Sequence, residues 1–249
     1  MLLLLPLKHH SSAKHRLAGV LSVAERGSLV QAMAGDLLQT LTRQSGVSRI
    51  VTVSGDPQAA RLAARWKVEF LDESELGGAC GLNDVVNSAA RRLAARTTED
   101  LACVAGDLPL LSAEELGEFI SAHIAARRYS ASARPSVTLV PDRWRQGTNL
   151  IAWQPASGFS VAFGPGSLER HRRQAASNGA TFTLCESAGG GHDIDEPRDL
   201  HALVFDAPRH LAPHTRRYLN ESGLHSRLSA SARGQAPMGN PRLMSEAGR

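Results

Sequence analysis

Residues 103–112 read CVAGDLPLLS. The apolar run Leu101–Ala105 has the length and content of a strand covered on both faces. It stops at Gly106, and Asp107 follows at once, ahead of Leu108-Pro109. A lone carboxylate where a buried strand ends and the backbone turns is not a core residue. In an open α/β sheet that position is the ligand edge, because ligands gather beyond the carboxyl ends of the strands. The reading therefore depends on whether the rest of the chain alternates strands with helices.

It does. Short apolar runs at Leu2–Leu7, Arg49–Ser54, Val68–Leu71, Leu101–Ala105, Val137–Val140, Asn149–Trp153 and Thr181–Cys185 read as strands. Stretches with a 3.6-residue apolar period lie between them, at Val23–Arg43, Pro57–Trp66, Asp84–Arg96, Ala113–Arg127 and Leu168–Asn178. Ser22 with Glu25, and Ser112 with Glu115, have capping-box spacing, and Asp56-Pro57 is an N-cap followed by proline at the first turn. Alternation of this kind predicts βαβ units, and so one α/β domain with a mainly parallel central sheet flanked by helices. We place that domain at residues 1–222. From Gly223 onward the chain is Ser, Ala, Gly, Pro and Arg without periodicity, which predicts a disordered basic tail over 223–249.

The hydrophobic fraction of 42% supports a full core, and aromatics at 4% leave that core to Leu, Val, Ile and Ala. The formal charge is +4, but the segment 223–249 carries +3 of it and the body only +1. A nearly balanced body does not make a surface that tracks phosphate backbones, which argues against nucleic acid. Cys80, Cys103 and Cys185 are odd in number and lack CxxC spacing, as expected of core thiols in a reducing compartment. The opening MLLLLPLK has no basic leader and too short an apolar run for a signal peptide. No stretch has the length of a membrane span. The expectation is a soluble, cytoplasmic protein without nucleic-acid or membrane partners.

Four clusters carry chemistry. Lys8, Lys14 and Arg16 lie in PLKHHSSAKHRL, between the first strand and a long helix, where cations bind a phosphate chain and neutralise its leaving group; the plainer account is a solvated basic loop. His9 and His10 there read as exposed side chains rather than metal ligands. No GxGxxG or Walker loop is present. Gly81-Leu82-Asn83-Asp84 opens a helix, where Asn83 reads either as a nucleoside contact or as an N-cap. Asp193 and Asp195, in GGGHDIDEP, are two apart and project to one side of an extended segment. Two such carboxylates repel unless a cation lies between them, and Mg²⁺ with carboxylates, phosphates and water removes the conflict. Asp107 would complete that set; the plainer account makes Asp195 the cap of a helix begun by Pro197. Finally, Thr148 and Asn149 stand at the mouth of a strand, and Gly164, Gly166 and Ser167 precede a helix whose N-terminus favours an anion.

In chain order these pieces resemble the guanylyltransferases of coenzyme F-420 biosynthesis, relatives of molybdenum-cofactor guanylyltransferase. The resemblance runs from about Leu4 to about Leu203, through Pro6–Lys8–Ala13-Lys14–Arg16-Leu17, Gly81-Leu82-Asn83, Asp107-Leu108-Pro109, Pro141-Asp142-Arg143, Gly147-Thr148-Asn149, Phe163-Gly164–Ser167 and Asp193-Ile194-Asp195–Pro197. It implies a single Rossmann-like domain of the nucleotide-diphospho-sugar-transferase (GT-A-like) type. It implies that GTP is attacked by the phosphate of a small phosphorylated acid, releasing pyrophosphate, with Mg²⁺ as cofactor. Asp107, Asp193 and Asp195 would hold the metal. Lys8, Lys14, Arg16, Gly81, Leu82, Asn83 and Asp107 would meet the nucleotide, and Thr148, Gly164 and Ser167 the acceptor. A transient contact with the next enzyme of the pathway would follow. The chain departs from the pattern at His9–Ser12, at Trp144, Arg145 and Gln146, and at His192. Extra polar bulk near the acceptor favours 3-phospho-D-glycerate or 2-phospho-L-lactate over phosphoenolpyruvate. Two other readings stay open: the same fold acting on CTP and a sugar or polyol phosphate, and a nucleotide-binding domain without turnover.

Overall fold

The computed structural model describes residues 1–9, 14–128 and 134–234. His10–Ala13 of the first loop and residues 235–249 lie outside the described residues. Seven strands form one sheet: β1 (Leu2–Pro6), β2 (Arg49–Ser54), β3 (Glu69–Asp72), β4 (Leu101–Val104), β5 (Ser136–Val140), β6 (Leu150–Trp153) and β7 (Thr181–Leu184). Their order is β3-β2-β1-β4-β6-β5-β7. β6 runs antiparallel to both β4 and β5, and every other pairing is parallel. The helices are α1 (Val23–Thr42), α2 (Pro57–Trp66), α3 (Gly81–Ala94), α4 (Ala113–Arg128), α5 (Ser167–Ser177), α6 (Pro197–Phe205), α7 (Pro213–Glu221) and α8 (Leu224–Gly234). The single α/β domain and its mainly parallel sheet are as expected.

The LLLL run of β1 is continuous because both faces of the strand are covered. Leu2 and Leu4 pack with Val85, Val86 and Ala89 of α3, while Leu3 and Leu5 pack with Leu37, Leu38 and Leu41 of α1 and Phe119 of α4. Both capping boxes form: Ser22 with Glu25, and Ser112 with Glu115.

A third apolar cluster lies beside this sandwich. Leu17, Leu21, Leu110, Ile194, Leu200, Leu203, Leu219 and Leu224 meet there. Leu224 is 1% exposed, and Arg227 donates to the Val20 carbonyl at 2.8 Å and to Glu25. The tail expected from residue 223 is thus corrected as far as Gly234. Its weak pattern is a short helix that gains stability from docking rather than from propensity.

Candidate active site

The chain runs outward from β1 to β2 and β3, then returns to the other side of β1 as β4. This reversal is the switch point where α/β sheets open a crevice. β1 and β4 are parallel neighbours, so Leu7-Lys8 and Ala105-Gly106-Asp107 leave the sheet at one edge. They approach closely: a Cβ on Gly106 would lie 3.0 Å from the Pro6 carbonyl oxygen. The cleft between them is lined by Lys8, Lys14, Leu82, Gly106, Asp107 and Asp195, among others.

The two distant acids reach this cleft through a backbone link. The Ile194 N–H donates to the Asp107 carbonyl at 3.1 Å. Ile194 is fully buried in the third cluster. In an extended segment its neighbours then face the opposite way, so Asp195 lines the cleft and Asp193 lies on the same side, within reach of the charges of Asp107 and Lys14. Further contacts fix the loop. Glu115, the capping residue of α4, accepts from the Gly189 N–H at 2.7 Å and from Ser187 Oγ at 2.9 Å. A Cβ on Gly189 would lie 2.1 Å from the Leu110 carbonyl oxygen, so only glycine fits. Asp199, 1% exposed, accepts from the backbone N–H of Asp195 at 3.0 Å and of Glu196 at 2.7 Å. Arg143 pairs with Asp199 and hydrogen-bonds His192 Nε2.

Lys14 completes the cluster. Its Nζ donates to Asp107 Oδ2 at 2.7 Å and to Asp195 Oδ1 at 2.7 Å, with a side chain only 6% exposed. Burial alone would lower the Lys14 pKa, but the two carboxylates outweigh it and hold the ammonium charged. For Asp195 burial pushes upward, while Lys14, then Lys8 and Arg16, bring the carboxyl below its usual range. Among the described residues no cation hydrogen-bonds Asp193, and Lys14 acts on it only through space. Burial first, and then the charge of Asp107, raise its pKa. Among the described residues no three His, Cys, Asp or Glu side chains close on one point as a metal site. Of the three acids expected from sequence to hold a metal, two thus meet around the Lys14 ammonium.

The other expected residues divide. Lys8 is exposed and lines the cleft. Arg16 is exposed and reaches Glu196 at 3.4 Å. Gly81 opens α3 with φ +80°, and Leu82 lines the cleft. Asn83 is neither a free nucleoside contact nor a cap. Its Nδ2 donates to the Phe163 carbonyl at 3.2 Å and its Oδ1 accepts from the Phe163 N–H at 2.6 Å. One turn on, Asn87 makes the same pair of bonds with Val161, at 3.0 and 2.8 Å. The two asparagines hold segment 161–163 against α3 as a neighbouring strand would. Asp195 is not a helix cap either, because Glu196 is the N-cap of α6.

β6 is reversed, so its start lies at the same edge as the carboxyl ends of the parallel strands. That brings Thr148 beside Ser167, the first residue of α5. Ser167 Oγ lies 3.0 Å from Thr148 Oγ1, and Thr148 Oγ1 lies 3.0 Å from His171 Nδ1. The Ala162 N–H donates to His171 Nε2 at 2.7 Å. A neutral imidazole that accepts at Nε2 carries its proton at Nδ1, so His171 donates to Thr148. Burial, and then Arg170, push the His171 pKa down to about 4, which keeps the ring neutral. Ser167 is 0% exposed and Thr148 7%, so the two hydroxyls expected to meet the acceptor form a buried pair. Gly164 is exposed, and the guanidinium of Arg170 bonds the carbonyls of Ala162, Phe163 and Pro165 around it.

Sequence reasoning missed Glu115 beyond its cap, and Asp199, Asn87, Arg170 and His171 entirely. The S-x-x-E spacing marked Glu115, but nothing in the sequence announced its second partner.

Comparison with known families and structures follows from this geometry. Residues 1–238 match the family model described as guanylyl transferase CofC like. A phosphoenolpyruvate guanylyltransferase of Conexibacter woesei is 33% identical over 88% of this chain and 94% of its own. One from Thermomonospora curvata is 35% identical over 81% of this chain and 82% of its own. A nucleotide-diphospho-sugar transferase structure from Desulfovibrio desulfuricans G20 superposes with TM-score 0.66 at 15% identity, covering 91% of this chain and 96% of that one. Glucosyl-3-phosphoglycerate synthase from Mycobacterium tuberculosis, solved with Mn²⁺ and UDP, superposes with TM-score 0.51 at 10% identity, covering 92% and 79%. At such identities the superpositions speak to the fold.

Proposed function

The chain belongs to the CofC-like guanylyl transferase family, and from that premise we propose that it joins GMP from GTP to the phosphate of phosphoenolpyruvate in the making of coenzyme F-420. The observation that carries this reading is the Lys14 ammonium between Asp107 and Asp195, beside Asp193, at the β1–β4 switch point. Cations and carboxylates in one crevice are what transfer between phosphates requires, since that chemistry rests on positioning and charge neutralisation.

A phosphate oxygen of the acceptor attacks the α-phosphorus of GTP. The bond from the α-phosphorus to the bridging oxygen breaks, and pyrophosphate leaves with the electron pair. Lys8, Lys14 and Arg16 neutralise the phosphates, and Gly81 and Leu82 border the nucleoside. The donors fit a divalent cation, Mg²⁺ first: the oxygens are hard and anionic, and those of Asp107 and Asp195 already flank a positive charge. Asp107, Asp193 and Asp195 would hold that cation, which supplies neutralisation of phosphate charge. The acceptor would lie at the Thr148–Gly164–Ser167 corner, against the exposed Gly164 and the charge of Arg170, with Thr148 and Ser167 buried behind it.

Two observations favour phosphoenolpyruvate. The relatives named above carry that specificity in their names. Of the polar bulk that favoured the larger acids, Gln146 stays at the corner, its carbonyl accepting from the Leu168 N–H at 3.2 Å, but Arg145 and Trp144 are engaged elsewhere. Arg145 pairs with Glu186 on the surface, and Trp144 is 58% exposed between the guanidiniums of Arg143 and Arg198. We place the enzyme in the cytoplasm. Among the described residues no helix is long and apolar enough to cross a membrane, and Cys80, Cys103 and Cys185 are all free thiols. The test offers phosphoenolpyruvate, 3-phospho-D-glycerate and 2-phospho-L-lactate together, with GTP or with CTP, and reads the products by mass. The expected main product is guanylylated phosphoenolpyruvate. A dominant product from another acid overturns the acceptor, and turnover of CTP alone overturns the nucleotide.

A further inference from the structure

We infer that Lys14 makes this site specific for a divalent cation that arrives with a nucleoside triphosphate, by keeping the bare ion off Asp107 and Asp195. The inference rests on the reading above that these acids hold a divalent cation. The ammonium donates to one oxygen of each carboxylate at 2.7 Å, and its side chain is 6% exposed. Those are the oxygens a small hard cation would take. Such a cation is held by one or two carboxylates together with substrate phosphates and retained water. A divalent ion between the two acids would sit against the ammonium at like charge, so the ammonium has to give way as the metal enters.

Where the ammonium goes decides which metal form binds. A buried lysine that loses both carboxylates is an uncompensated charge, which is strongly unfavourable. A bare divalent ion displaces Lys14 and offers it no anion. A metal–triphosphate complex brings phosphate oxygens into the same cleft, where Lys8 already adds positive charge. Lys14 then exchanges carboxylates for phosphate, and the metal takes the acids. The backbone suits such an exchange. Lys14 has φ 56° and ψ 44°, a sparsely populated conformation for a residue with a side chain. Its carbonyl accepts from the Leu17 N–H at 2.9 Å, and Leu17 is fully buried. The lysine thus swings from a fixed post.

The consequence is a reciprocal coupling: nucleotide promotes metal binding, and metal promotes nucleotide binding. The test titrates Mn²⁺ into the full chain without nucleotide and counts free ion by electron paramagnetic resonance. Wild type, Lys14→Met and Lys14→Gln are compared, with folding followed by circular dichroism; Lys14→Gln keeps length and polarity should Lys14→Met fail to fold. Loss of the competing ammonium should tighten bare Mn²⁺ by about tenfold or more, within the usual range of coupling energies. A parallel arm gives wild type Mn²⁺ and GTP and reads the protein-bound ternary complex by water relaxation. If that complex forms while the Lys14 variants bind bare Mn²⁺ no tighter than wild type, the inference about Lys14 falls and the metal reading stands. If no ternary complex forms, and Asp107→Asn changes nothing, both fall together.

Discussion

His171 shows how one side chain fixes the protonation of its surroundings. Its Nε2 is committed to the Ala162 N–H and its Nδ1 proton to Thr148, with the ring fully buried. The folded pKa of about 4 lies below the unfolded value of 6.5. The stabilisation from a neutral ring is therefore complete above about pH 6.5, declines as pH falls, and is gone below about pH 4. The shift corresponds to roughly 3 kcal/mol. Wild type should lose about that much more stability than His171→Gln on going from neutral to about pH 4 in urea unfolding. Parallel pH curves would mean that the ring is not held neutral. Gly189 makes a second residue-scale prediction. An alanine there meets the Leu110 carbonyl, so the loop carrying Asp193 and Asp195 has to shift. Displacement by about 1 Å costs roughly a hundredfold in turnover. Gly189→Ala should show that loss in pyrophosphate release, and near-normal turnover would contradict the close approach.

At the scale of elements, all seven strands and five of the helices stand within a few residues of where periodicity puts them. The strands were legible because β1, β2, β4 and β5 are buried on both faces and read as plain apolar runs. α6, α7 and α8 were not drawn from periodicity, and the reason is physical. Each is short, and its stability comes from docking on the third cluster. The Ser-Ala-Arg composition of α8 resembles a tail until Leu224 is seen docked. The acids at 107, 193 and 195 were legible from their placement. The Lys14 bridge was not, because its partners lie 93 and 181 residues away. Asn83 misled for a similar reason: its partner is backbone 80 residues away. Truncation separates the two halves of the expected tail. Removing 223–249 exposes the surface around Leu17 and Leu21 that Leu224 covers, and burial of one leucine is worth about 1.5–3 kcal/mol. The melting temperature should fall by about 5 °C or more for a chain of this size, and turnover should fall with it, because Leu17 anchors the Lys14 loop. Removing 235–249 alone should change neither. A full-length melting temperature after the longer deletion would return α8 to the status of a tail.

The whole molecule joins two corners of one sheet edge. The β1–β4 switch point brings Lys14 and the acids together, and the reversed β6 brings Thr148 to the same edge. Between them, Asn83 and Asn87 tie α3, whose Leu82 lines the β1–β4 cleft, to segment 161–163, which leads to Gly164 and Ser167. On the proposed reading, this arrangement lets one domain hold a nucleotide and an acid for an in-line transfer. The claim on which the account turns is that the acids around Lys14 perform that transfer. It is tested most directly by pyrophosphate release from GTP and phosphoenolpyruvate with Mg²⁺, comparing wild type with Asp107→Asn at matched melting temperature. The account predicts a loss of about two orders of magnitude or more in Asp107→Asn, the scale of removing a main electrostatic stabiliser. Turnover within about twofold of wild type would contradict it, because no account of this cleft leaves phosphoryl transfer indifferent to the acid at its centre.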